Sequence, residues 1–180
     1  MKKYLYAGDK NVYKANLHCH STVSDGDLSP EKIKEVYMAK GYGIVAFTDH
    51  GRLIVHDYLN DEDFLAINAC EVGLNQEDGS YFTRKTYHLN LYAARADITE
   101  TPPPMMMDYS DIDAINEYIA DRVGEGFLVC YNHPYWSMQT LDEYSKLRNC
   151  FAMEIYNHNC EVDDGCCGYN PQAYDEMLRS

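Results

Sequence analysis

Two histidines placed two residues apart, His18 and His20, open a series of imidazoles and carboxylates spread over most of the chain. In an extended segment, residues at that spacing point to the same side of the pleat, so both rings can reach one ligand. Asp25 lies in the loop just beyond. His50 follows Asp49 at the end of a second apolar run, Glu71 closes a third, His88 opens a fourth, and His133, with Pro134 after it, ends a fifth. A lone histidine in a strand is more often a satisfied polar residue than a ligand. Here five of seven histidines fall at strand termini, which random placement would not give. Neutral imidazole with carboxylate suits zinc, manganese or iron, and no CxxC pair points to a thiolate site. The set exceeds what one tetrahedral ion needs, so at least two ions are implied, with Glu71 as the natural bridge. Two ions roughly 3.5–4 Å apart can hold a hydroxide between them and clamp both ends of an in-line displacement at phosphorus.

The elements that must carry these residues are short. Strands are expected at Ala15 to His20, Ile44 to Thr48, Phe64 to Cys70, His88 to Ala93, Phe127 to Tyr131 and Ala152 to Tyr156. A helix follows the first, with Ser29 as N-cap, Pro30 at the first helical position, Ile33, Val36 and Tyr37 as its buried stripe, and Gly41 at its end. A second is expected after the Pro102-Pro103-Pro104 loop, with Ser110 as N-cap, Ile112, Ile115, Ile119 and Val123 on one face, and Gly124 and Gly126 at the stop. Further helices are expected near Leu141 to Leu147 and after Asn170-Pro171, and Glu161 to Gly168 reads as a surface loop. Strands alternating with helices imply a largely parallel sheet, either a barrel or a doubly wound fold. In barrels of this kind the strand C-termini converge on one face, where active sites are built.

Composition narrows the partners. With 180 residues and 46% hydrophobic residues the chain fits one domain with its own core. A net charge of −14 argues against binding long nucleic acid, whose backbone such a surface repels, and no basic run offsets it. Seven cysteines, an odd and scattered count, fit reduced thiols and a cytoplasmic protein better than a disulfide framework. The polar residues after Met1-Lys2-Lys3 do not read as a signal peptide, and no stretch approaches a membrane span.

The runs His18-Cys19-His20-Ser21-Thr22-Val23-Ser24-Asp25-Gly26, Thr48-Asp49-His50, Glu71 and Asn132-His133-Pro134 resemble the successive motifs of the PHP (polymerase and histidinol phosphatase) family. The resemblance extends from about Asn16 onward. It implies a distorted (β/α)7 barrel with a trinuclear site of zinc, manganese or iron. One ion would take His18, His20 and Glu71, a second Glu71, His88 and His133, and a third Asp25 and His50. The Asp-x-His motif with which the family closes its site on a seventh strand has no counterpart here. The expected fold is therefore an incomplete barrel with six strands present and the seventh missing, and residues 1–180 read as a single PHP-type domain truncated at its C-terminus. Such a fragment is expected to bind fewer ions, with weak or no activity, and to expose two sheet edges through which it could self-associate.

The reading this supports is a metal-dependent phosphoesterase acting on a small-molecule or nucleotide phosphate ester, with two or three divalent ions. An amidohydrolase-like enzyme cleaving an amide or lactone and a non-catalytic metal-binding regulatory module are the alternatives. Arg52 could meet a substrate phosphate with its fork of donors, and Asn157 and His158 could face substrate from the end of the sixth strand. Asp49 is a candidate leaving-group acid or a support for the ligands, and Asn132 a candidate to orient His133. Tyr135 and Trp136 read as packing rather than as an aromatic wall, and His56 as a surface residue or an outer support of the site.

Overall fold

The computed structural model describes residues 12–80, 83–162 and 167–179. Six strands form one curled sheet in the order β1 (Ala15–Cys19), β2 (Ile44–Phe47), β3 (Leu65–Asn75), β4 (Thr86–Ala93), β5 (Phe127–Tyr131) and β6 (Ala152–Met153). Helices α1 (Pro30–Ala39), α2 (Ile112–Glu125), α3 (Leu141–Tyr144), α4 (His158–Val162) and α5 (Pro171–Met177) accompany them.

The sheet is not parallel throughout. β1–β2, β2–β3 and β5–β6 pair in parallel, whereas β4 runs antiparallel to both β3 and β5. The cause is the link from Asn75 to Thr86, which is too short for a crossover helix and closes as a hairpin. Asp78-Gly79, with Gly79 at φ +115°, is its signal in the sequence, and Gln76 N donates to Lys85 O at 2.9 Å to extend the ladder. This reversal matters for the site. His88 lies near the start of β4, yet the antiparallel direction brings it beside Gly73 of β3, at the end where the neighbouring strands finish.

Side-chain alternation then sorts the two faces. Val45 and Phe47 of β2 pack with Ile33 of α1, while Cys70, Val72, Leu74, Leu89, Leu91, Val129 and Tyr131 join Ile115 and Ile119 of α2 in the main core. Ala46, Ala69, Tyr92 and Cys130, one from each of four strands, cluster on the other face, the inside of the curl. Glu71, His88 and Asn90 share that inner parity with Ala69 and Tyr92.

Ser29 caps α1 as expected, its side chain accepting from Lys32 N, with Pro30 in the first turn. Other expectations are corrected. Asp111 rather than Ser110 caps α2, because the Ser110 hydroxyl is taken by Asp108 at 2.5 Å. The buried stripe of α2 runs through Ile115, Tyr118, Ile119 and Arg122, leaving Val123 42% exposed; Arg122 lies over the Tyr118 ring and pairs with Glu125. Gly124 sits inside the helix, and Gly126, left-handed at φ +102°, ends it. β3 continues four residues past Glu71, β6 is only two residues long, and α3 stops at Tyr144. The stretch expected as a loop begins as α4, and Cys166 lies outside the described residues. Cys19, Cys70, Cys130 and Cys150 are free thiols. Among the described residues no helix is long and apolar enough to cross a membrane.

These placements predict opposite outcomes on one helix. Ile115→Ala should lower stability in denaturant titrations by about 2–5 kcal/mol, because it opens a cavity in the main core. Val123→Ala should stay within about 0.5 kcal/mol of the wild type.

Candidate metal centre

Glu71 is 1% exposed, and its carboxylate is the centre of the site. Its backbone is fixed where β2 ends: Gly51 N donates to Glu71 O at 2.8 Å, and Glu71 N to Asp49 O at 3.3 Å. Each carboxylate oxygen faces its own set of rings. Oε1 lies 3.5 Å from His18 Nε2, 3.3 Å from His88 Nδ1 and 3.3 Å from His133 Nε2. Oε2 lies 3.2 Å from both His20 Nε2 and His50 Nδ1. Asp25 closes the second set, 2.8 Å from His20 Nδ1 and 3.5 Å from His50 Nε2. All seven residues expected as ligands are thus brought together.

Two loops place the outer members. The Asp49 carboxylate, buried at the end of β2, accepts from Ser21 N at 2.8 Å, Ser21 Oγ at 2.9 Å, Ser24 N at 3.2 Å and Ser24 Oγ at 2.8 Å. It thereby folds the turn that presents Asp25. Gly26 is required in that turn, since a Cβ there would sit 2.3 Å from His20 O. Both Asp49 oxygens are engaged in the turn, so the geometry makes it a support of the loop. Gly73 leaves room for the His88 ring: a Cβ would approach its Cδ2 to 2.9 Å. His133 has φ +26°, unusual for a residue that is not glycine, and it also precedes a proline. Its conformation is held by Ser137, whose N donates to His133 O at 3.1 Å and whose Oγ lies 3.2 Å from His133 Nδ1.

Glu154 was not singled out from the sequence. It directly follows β6, the same strand-end position that marks the ligands, and that was the available signal. Its Oε1 lies 2.9 Å from His18 Nδ1, and its Oε2 accepts from His133 N at 3.1 Å. Asn157 donates to both Glu154 oxygens and accepts from Cys160 N, which commits its side chain to this carboxylate. His158 begins α4, exposed, with Nδ1 3.0 Å from the Tyr156 hydroxyl. Arg52 is exposed on the loop after His50. Asn132 does not orient His133; its Nδ2 donates to Glu71 Oε1 at 2.7 Å. Trp136 sits with its ring 4.9 Å from His133 and 5.5 Å from His88, beside the cluster, whereas Tyr135 packs on the main core. His56 is buried, with its ring against Phe47 at 4.5 Å, so it is not a surface residue.

The electrostatics follow from burial against proximity. Burial opposes ionisation of Glu71, but the His18 and His88 charges and the hydrogen bonds from His133 and His18 hold its carboxyl well below the usual range. Burial likewise opposes a charge on His18, yet Glu71 and Glu154 lift it to about 10. Burial lowers His133 and His50 against the pull of Glu71.

The donor set fits divalent cations. Two ligands of one tetrahedral ion with bonds of about 2.0–2.2 Å stand roughly 3.4 Å apart, the spacing seen around Glu71. His88 Nδ1 is buried without a hydrogen-bond partner, as a nitrogen waiting for an ion would be. Two groups could each hold an ion, His18–Glu71–His133 and His20–His50–Glu71. His18 Nε2 also lies 3.2 Å from His20 Nε2, so the trio His18–His20–Glu71 implied by the resemblance is brought together as well, and the two groups meet at that pair.

No known family model matches the chain. Residues of this chain are 30% identical to a 5′-3′ exoribonuclease of Haemophilus influenzae over 112 residues, 62% of this chain but 39% of that protein. An inferred metal-dependent phosphoesterase of Bifidobacterium adolescentis superposes with TM-score 0.60 and 14% identity, over 94% of this chain and 83% of its own. A two-domain protein of Bacteroides vulgatus containing a predicted PHP-like metal-dependent phosphoesterase superposes with TM-score 0.51 and 19% identity, over 93% of this chain and 48% of its own. The chain has a PHP-type fold. Its six-stranded curled sheet is the part of such a barrel that the described residues form, with β1 and β6 at its open edges.

Two outcomes are expected. Gly73→Ala should push the His88 ring away from Glu71, visible in a crystal structure and as reduced metal content. Metal binding to apoprotein near pH 8 should release at least one proton, since His18 is protonated there and a ligand must be neutral; calorimetry in buffers of different ionisation enthalpy measures it.

Proposed function

We propose that the protein is a metal-dependent hydrolase of phosphate esters, acting on a small phosphomonoester or phosphodiester, nucleotides included. The observation that carries this reading is the single buried carboxylate of Glu71 shared between two groups of imidazoles, on a PHP-type fold. His18, His88 and His133 would hold one divalent ion with Glu71 Oε1, and His20 and His50 another with Glu71 Oε2, while Asp25, on the far side of those two rings, could meet a third ion with His50 Nε2. Zinc, manganese and iron all suit these donors. Such ions supply Lewis acidity toward phosphoryl oxygens and a water of lowered pKa.

The chain's own residues account for the rest. Against the effect of burial, the His18 and His88 charges hold the Glu71 carboxyl well below its usual range, which favours the ionised form that a bridging ligand needs. Asp49 holds the Ser21–Ser24 turn rigid and with it the Asp25 ligand. Arg52 is the nearest cationic side chain in sequence to the ligands, on an exposed loop where its guanidinium could orient a phosphate. Trp136 forms one wall beside His88 and His133, so an aromatic or nucleobase group next to the phosphate could lie against it.

A nuclease reading is favoured by one observation, the identity shared with the exoribonuclease. The net charge of −14 restricts it to short oligonucleotides or nucleotides. An aryl phosphate, a short RNA and an aryl amide should therefore be compared as substrates with metal-loaded protein. The expected result is turnover of the phosphate esters but not the amide, abolished by chelator and reduced about 100-fold or more in Glu71→Gln. Amide turnover without phosphate turnover would replace this reading with the amidohydrolase one.

A further inference from the structure

We infer that Glu154 is a positioning residue that braces one of the two ion sites, the His18–Glu71–His133 group, and leaves the His20–His50–Glu71 group untouched; this rests on the metal reading above. Three observations converge on it. First, Glu154 Oε1 sits 2.9 Å from His18 Nδ1, which directs the Nδ1 proton outward and turns Nε2, 3.5 Å from Glu71, toward the ion. Carboxylates paired with the far nitrogen of a ligating histidine fix its tautomer and ring orientation and make it a stronger donor. Second, Glu154 Oε2 accepts from the backbone N of His133 at 3.1 Å. His133 is the ligand with left-handed backbone, a conformation that persists only when its surroundings over-determine it. One carboxylate therefore holds the ring of one ligand and the main chain of another, and both belong to the same three-membered group. Third, Glu154 is itself anchored, its two oxygens receiving Asn157 Nδ2 at 3.2 and 3.3 Å while Asn157 Oδ1 ties back to Cys160 N in α4. Its side chain is 12% exposed, so water competes little for it.

Among the described residues Glu154 makes no hydrogen bond to His20 or His50, and it reaches the other group only through His18, whose Nε2 lies 3.2 Å from His20 Nε2. His20 and His50 are oriented instead by Asp25, from the turn folded by Asp49. The two halves of the centre are thus braced from opposite edges of the sheet, one from the loop after β1 and one from the end of β6. Loss of Glu154 should weaken one ion selectively, a signature that general destabilisation would not produce.

Zinc titration of the apoprotein against a competing chromophoric chelator tests this, with anomalous scattering to locate each ion. In the wild type two zinc sites should fill. In Glu154→Ala the His18–His133 site should weaken about 10–100-fold and lose its anomalous peak, while the His20–His50 site titrates unchanged. Glu154→Gln keeps an oxygen that accepts from His18 Nδ1 and should retain most of the affinity. Equal titration of both sites in Glu154→Ala overturns the inference, as does parallel weakening of both in protein whose thermal melt is unaltered. Should the alanine variant not fold, Asn157→Ala, which removes the anchor of both Glu154 oxygens, decides by the same criterion, selective weakening supporting the brace and unchanged titration overturning it. A wild-type protein that takes up no zinc, manganese or iron would instead sink the metal reading, before any variant is compared.

Discussion

A carboxylate that is charged and almost wholly out of water constrains everything around Glu71. Transfer of such a group from water costs several kcal/mol even after relaxation, and only close partners repay it. The partners are the five imidazoles and the Asn132 amide, all within 3.5 Å. They come from four strands and from the loops that follow them. The curl of the sheet, the reversal of β4 and the sharp backbone at His133 are what bring those segments to one point. Divalent cations in the same space would compensate the carboxylate more fully and need the rings neutral.

Around that centre the structure arranges a second set of carboxylates, each with a mechanical task. Asp49 gathers Ser21 and Ser24 and so sets the position of Asp25. Glu154 joins His18 to His133. Both are buried or nearly so, and both spend their oxygens on fixed donors, which sets the positions of Asp25, His18 and His133 through the protein's own hydrogen bonds. Small residues contribute by absence: Gly26 lets the turn lie on the His20 carbonyl, and Gly73 leaves the space that His88 fills.

Much of this was legible from local pattern, and what was missed has common causes. The helix at Pro30 carries its cap, its first-turn proline and its apolar stripe within a dozen residues, so local chemistry was enough. The stripe of α2 was misjudged at Val123 because an apolar residue and the aliphatic stem of Arg122 compete for similar positions, and packing over Tyr118 chose the arginine. Between a surface residue and an outer support of the site the sequence leaves His56 open, because its burial depends on Phe47, a neighbour in space only. A largely parallel sheet is what the strand–helix alternation implies, and the reversal of β4 is marked only by the Asp78-Gly79 turn.

The residue types at strand ends determined, by themselves, that a cation-binding centre of imidazole and carboxylate was within this chain's chemistry, because ligand identity is a property of side chains. The spacing of His18 and His20 also settled that both point one way, because the pleat has a period of two. Which ring shares which Glu71 oxygen is another matter. It depends on sheet curvature, strand direction and register between segments up to 136 residues apart, as in the pairing of His18 with Glu154. Those are cooperative properties of the packed chain that no local stretch encodes, so which carboxylate meets which ring was decided only in the tertiary structure.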